Sequence, residues 1–138
     1  MPNFQYTGCD CQTIVISLKN GALLHQSSKQ GIYQKSGKVN GKTSWISSSN
    51  NNALWYNAGS ADWQMGSVND IGTSIAGISS NGNQGISSCP YNVPSDAWEY
   101  WNDGWINANA IDFSIECLTG NEFNATLWYL NCTFLALN

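Results

Sequence analysis

The sequence predicts a nearly all-β fold: one compact antiparallel domain, sandwich or barrel-like, held together by disulfides. Three observations predict it. Turn residues recur at intervals of roughly eight to twelve positions. The apolar residues between them alternate or form short runs, without the 3.6-residue spacing of a long helix. Five cysteines are spread along the chain. A length of 138 residues suits a single domain, 1–138, large enough to enclose a hydrophobic core.

The first strand is expected at Thr13 to Leu18, with Ile14, Ile16 and Leu18 on one face, and Asn20-Gly21 supplies a turn after it. Gly31 to Lys35 and Thr43 to Ser47 form hairpin arms around Asn40-Gly41, a dipeptide that tolerates the positive φ of a tight turn. A polar loop, Ser47 to Asn52, leads to a strand at Ala53 to Tyr56. Asp62 to Gly66 carries Trp63 and Met65 on one face, and Ser74 to Ser79 comes next, before the glycine-rich loop 81–85. Trp98 to Trp101 and Trp105 to Ala108 pair as a hairpin around Asn102-Asp103-Gly104. Ile111, Phe113, Ile115 and Cys117 alternate with Asp112, Ser114 and Glu116, the pattern of a half-buried strand. The segment Ala125 to Leu137 is apolar on both parities and reads as a central or interfacial strand.

Composition narrows the function. Only 10% of residues are charged, against roughly 25% in soluble domains. Arginine is absent, and the net charge of −4 leaves no basic surface for phosphates, so nucleic acid is not an expected partner. No apolar run suggests membrane insertion, and no leader is recognised, so the chain reads as a mature product or an excised piece with Met1 added. Cys9, Cys11, Cys89, Cys117 and Cys132 lack the CxxC and histidine spacing of a metal site, and disulfides are the expected use, with one thiol left over. Sequons at Asn124 and Asn131 add to an extracellular, secreted reading; their odd separation would point them to opposite faces of one regular strand.

From Gly31 to Cys117 the chain resembles a small aromatic- and cysteine-containing β module that recurs in secreted proteins of invertebrates and protists. The resemblance is carried by Gly31-Ile32-Tyr33, Asn40-Gly41, Trp45-Ile46, Leu54-Trp55-Tyr56, Trp63 with Gly66, Cys89-Pro90, Trp98-Glu99-Tyr100-Trp101, Trp105 and Cys117. It implies a secreted β domain with a Cys89–Cys117 bridge and no catalytic role. The flanks, 1–30 as an N-terminal extension and 118–138 as a C-terminal strand, fall outside it. There Cys132 could pair with Cys9 or Cys11 and lace the two ends together.

Chemistry is sparse. A single histidine, His25, with no Gly-x-Ser-x-Gly context leaves no triad, and His25 reads as a surface or capping residue. Asp62, Asp70, Asp96, Glu99, Asp103, Asp112, Glu116 and Glu122 form no recognisable glycosidase pair. Asn69-Asp70, Asp96 and Asn102-Asp103 offer hard oxygen ligands but no calcium-loop spacing, and turn geometry explains them. No enzyme, cofactor or metal is expected.

One constellation stands out. In the Trp98 hairpin, strand parity puts Trp98, Tyr100, Ile106 and Ala108 on a core face and Glu99, Trp101, Trp105, Asn107 and Asn109 on the other. Two indoles beside a carboxylate and two amides suit either a sugar, which packs its C–H face on aromatic rings, or a protein partner. The sequence supports two functions. The first is a structural or adhesive subunit of an extracellular coat or filament, self-associating or bound to other extracellular proteins through β-strand and aromatic contacts. The alternative is a glycan-binding module using the exposed tryptophans.

Overall fold

The fold is that of a computed structural model, which describes residues 8–86 and 88–118. It is nearly all β: among the described residues nine strands form one antiparallel sheet, curled into a half-barrel. The strands are β1 Thr13–Leu18, β2 Gly31–Val39, β3 Lys42–Ser47, β4 Asn52–Asn57, β5 Asp62–Ser67, β6 Ile78–Ser80, β7 Trp98–Trp101, β8 Trp105–Asn107 and β9 Phe113–Leu118. Their order is β8-β7-β6-β5-β4-β3-β2-β1-β9, so β1 to β8 run as a continuous meander and β9 returns to lie against β1.

The hairpins obey local turn chemistry. Asn40 and Gly41 both have positive φ (51° and 82°), the conformation that matches a two-residue turn to the twist of its strands. In the β7–β8 hairpin, Asp103 and Gly104 supply the positive φ, and the register pairs Trp101 with Trp105 and Glu99 with Asn107, as strand parity requires. The β2–β3 ladder is interrupted. Its register passes from Lys35 opposite Trp45 to Lys38 opposite Thr43, so Ser36 and Gly37 face the single residue Ser44 in a β-bulge.

The inner face holds the main core. Trp45, Trp63 and Trp98 lie there fully buried with Tyr33, Ile14, Ile16, Leu54, Met65 and Ile78. Curvature brings strands distant in the sheet together: Trp98 on β7 stacks on Phe113 of β9 at 4.7 Å between ring centroids. On the outer face the segment 68–77 crosses the sheet, and the Trp55 indole beneath it donates to Thr73 O (3.1 Å). Close approach there depends on Gly66, where an added Cβ would meet Ile75 O at 3.0 Å and the Trp55 ring at 3.1 Å. A smaller apolar cluster on the same outer side joins Val15, Ile32 and Leu118.

Several sequence expectations change. The turn expected at Asn20-Gly21 opens a helix that the sequence reading does not expect. Asn20 turns the chain with φ of 53°, but Ala22 to Gln26, mostly good helix formers, continue as a helix, α1 Asn20–Gln26. It docks at the end of β7, where Gly21 lies so close to the Tyr100 hydroxyl that a Cβ would collide with it. The strand expected from Ser74 shrinks to Ile78–Ser80, because residues 74–77 belong to the crossing segment. Ile111 is 73% exposed in the turn before β9, and Ile106, expected in the core, is 38% exposed on the short edge strand β8. The segment from Ala125 lies outside the described residues.

The disulfides differ from the pairing the resemblance implied. Cys89 bonds to Cys9 and Cys117 to Cys11, with Cα separations of 5.6 and 5.8 Å. A Cys89–Cys117 bridge is excluded, and neither Cys9 nor Cys11 is open to Cys132, which lies outside the described residues. The geometry explains the exchange. Residues 8–12 extend β1 along β2, as the Lys35 N–H donating to Gln12 O shows, and this places Cys9 and Cys11 in the core beside the arms bearing Cys89 and Cys117. Two disulfides are compatible with an oxidising, extracellular setting.

Both bridges close loops of 80 residues or more. Cys11→Ser with Cys117→Ser should therefore cost about 2–5 kcal/mol, read from denaturant midpoints. A loss below about 0.5 kcal/mol would show that the sheet closes without this link. Gly21→Ala should cost about 1–3 kcal/mol by overpacking against Tyr100, whereas a simple helix-propensity gain would instead stabilise.

Candidate functional site

Hairpin β7–β8 sits at one edge of the sheet and presents its outer face to solvent. Trp101 and Trp105 are 45% and 41% exposed, although indoles of this size are usually well covered. Their rings meet edge to face, 5.4 Å between centroids and 78° between planes. The pair therefore forms a corner, one ring as floor and one as wall. The main chain beneath is fixed from both sides: Trp101 N–H donates to Gly77 O (2.8 Å), and Gln26 Nε2 from α1 donates to Trp101 O (2.9 Å).

Polar groups line up beside this corner. Glu99 lies across β6 Ser79 on one side and β8 Asn107 on the other. The Asn81 side chain bridges them: it hydrogen-bonds Glu99, and its Nδ2 donates to Asn107 Oδ1 (3.2 Å). Partial burial raises the Glu99 carboxyl above the ordinary glutamate range; the Asn81 hydrogen bond works against this and the charge of Asp62 adds to it. Asp62 is itself buried, its Oδ1 accepting from Ser80 Oγ (3.1 Å) and the Gln84 N–H (3.0 Å). Asp62 thus anchors the 81–85 loop that carries Asn81.

Sequence parity and structure agree for Glu99, Trp101, Trp105 and Asn107, which share one face. Asn109 does not join them. Strand β8 ends at Asn107, and the Asn109 amide groups turn toward Asp112 Oδ2 (both 3.4 Å) in the loop leading to β9. Asp112, expected on a polar strand face, is buried there and also accepts from Asn20 Nδ2 (2.7 Å). Asn81 is the addition that sequence reasoning missed. Nothing local marks it, since its place beside Glu99 comes from the β6–β7 register. His25 is exposed in the last turn of α1, its ring stacked at 6.1 Å from Tyr100. Cys132 and the sequon residues Asn124 and Asn131 lie outside the described residues.

Among the described residues no three His, Cys, Asp or Glu side chains converge as a metal site, and no helix is long and apolar enough to cross a membrane. The chain matches no protein-family model, no curated protein and no solved structure.

The raised Glu99 carboxyl fixes the sign of one pH effect. Its contribution to stability is fully present below the unfolded glutamate value, about 4.3, and is lost as pH rises through the higher native value. Glu99→Gln, which never ionises, should remove this slope and leave the protein at least as stable as the parent at neutral pH. Thermal melts from pH 3.5 to 7 test it; a parent that grows more stable than the variant as pH rises would contradict the assignment.

Proposed function

We propose that this chain is a secreted, non-catalytic binding module that docks the apolar face of a sugar ring on Trp101 and Trp105. The observation that carries the reading is the exposed, edge-to-face indole corner with Glu99, Asn81 and Asn107 alongside. A pyranose presents C–H bonds on one face and hydroxyls at its rim. An indole face receives the first, while amides and a carboxylate receive the second. Perpendicular rings cannot both lie flat beneath successive sugars of a straight chain. The corner suits a single ring, such as the end of an oligosaccharide or a branch. The disulfides support secretion, because such bridges persist in oxidising compartments.

A second reading is favoured by the edge itself. Among the described residues strand β8 pairs only with β7, and its three residues, Trp105, Ile106 and Asn107, are all exposed. An open edge with apolar residues on both faces invites strand addition from another chain. This supports the adhesive or structural subunit, whose partners would be copies of itself or other extracellular proteins.

Trp101→Ala should weaken binding to a responsive oligosaccharide at least ~10-fold, about 1.4 kcal/mol, without lowering the melting temperature by more than a few degrees. The readout is tryptophan fluorescence across a glycan array, then titration calorimetry. An array with no responsive glycan would sink the sugar reading. Concentration-dependent oligomers abolished by Ile106→Lys would place the edge reading first.

A further inference from the structure

We propose that the cleft between residues Gly8–Asp10 and the β2–β3 hairpin is a binding site for a small oxyanion, the charged group of a sulfate ester, phosphate ester or carboxylate. It is separate from the tryptophan corner and does not rest on the sugar reading. The cleft has a volume of about 280 Å³ and is walled by Gly8, Asp10, Lys35 to Lys38 and Gly41 to Thr43.

Charge distribution is the first argument. The chain carries five cations against nine carboxylates. Yet Lys35, Lys38 and Lys42 all line this one cleft, where Asp10 is the single acidic residue among the described ones. Like charges concentrated in a concavity focus the local field, whatever the sign of the molecule as a whole.

The β-bulge is the second. In a regular strand Lys35 and Lys38, three positions apart, would point to opposite faces. The extra residue at Ser36–Gly37 cancels that alternation. Lys35 pairs with Trp45 and Lys38 with Thr43, two positions along β3, so both lysines emerge on the same face. The bulge is braced, since Ser44 Oγ donates to Gly37 O (2.5 Å). A device of this kind re-aims side chains, and here it puts two lysines on one face to line one space. Both are exposed, and no ion pair ties either to a carboxylate among the described residues.

The third argument is room. Gly8, Gly37 and Gly41 present bare backbone to the cleft, with no heavy atom within 4 Å of where a Cβ would stand. Lys42 closes the far side; its ammonium donates to Ile86 O (3.1 Å) and lies 5.0 Å from the centre of the Tyr56 ring. Lys42 therefore serves as a fixed wall, whereas Lys35 and Lys38 can swing onto an incoming anion. Lysine meets an oxyanion as a point charge, so the site reads charge more than planar shape.

The test is a titration of the ¹⁵N-labelled full chain with sodium methyl sulfate, methyl phosphate and acetate, ionic strength held constant with sodium chloride. Saturable shifts of the Ser36, Gly37 and Lys38 amides are expected, and the ranking of the three probes identifies which ester or acid is preferred. Lys35→Gln with Lys38→Gln, both solvent-facing, should weaken binding at least ~10-fold, and Asp10→Asn should tighten it. Trp101→Ala should leave it unchanged, so this site and the sugar corner fail or stand independently. No saturable shift beyond that of chloride, or equal binding by the double variant, would overturn the proposal.

Discussion

A buried indole must find a hydrogen-bond acceptor for its N–H or forfeit roughly 1–3 kcal/mol, and this requirement organises the molecule. The sheet cannot supply the acceptors, because its carbonyls are engaged in the ladder. The buried tryptophans reach instead to segments outside the nine strands. Trp45 donates to Cys11 O (2.7 Å), Trp63 to Ser88 O (2.8 Å) and Trp55 to Thr73 O. The first two acceptors are a half-cystine and the neighbour of one. The arms at residues 9–11 and 88–89 are thus each held twice, by a covalent link and by an indole. Trp98 is the exception: its Nε1 is buried without a partner among the described residues, and stacking on Phe113 is its compensating contact.

Much of the fold was legible because it is local. Alternation located β1 and β5, Asn40-Gly41 and Asn102-Asp103-Gly104 located two hairpins, and the second of these also carried its register, whereas the bulge in the first was not legible. Parity then sorted the β7–β8 side chains, which is why Glu99, Trp101, Trp105 and Asn107 could be grouped from the sequence. The failures are equally physical. Asn20-Gly21 signals a reversal but does not specify the conformation of the residues after it, and Ala22 to Gln26 have the propensity to go on as a helix. Ile106 has the right parity for the core, but a three-residue edge strand has too little neighbouring surface to cover it. Disulfide partners depend on which chain segments lie across the sheet, and spacing in the sequence carries no such information.

The outer face shows how one sheet supports unlike environments. Where the 68–77 segment covers it, Trp55 is fully buried and Gly66 gives up its side chain for contact. Two strands further on no described segment covers it, and residues of the same parity become the exposed corner of Trp101 and Trp105. Asp62 sits at the border. Inaccessible itself, it holds the loop that delivers Asn81 to Glu99. The site's polar wall therefore takes Glu99 and Asn107 from the hairpin and Asn81 from a loop anchored on β5, while its apolar floor comes from the hairpin alone.

The strand order has a consequence for biogenesis. Strands β2 to β8 can zip up in the order they are synthesised, each onto its predecessor, but β1 pairs with both β2 and β9. One flank of the first strand therefore stays open until residue 118 has left the ribosome. Cys9 and Cys11 emerge almost together and wait for partners 80 and 106 positions away. During that wait the two thiols can bond to the wrong arm, since only one residue separates them. Contacts of such long range form slowly and leave strand edges exposed. A nascent chain of this design gains from an isomerase able to reshuffle its cysteines until β9 arrives.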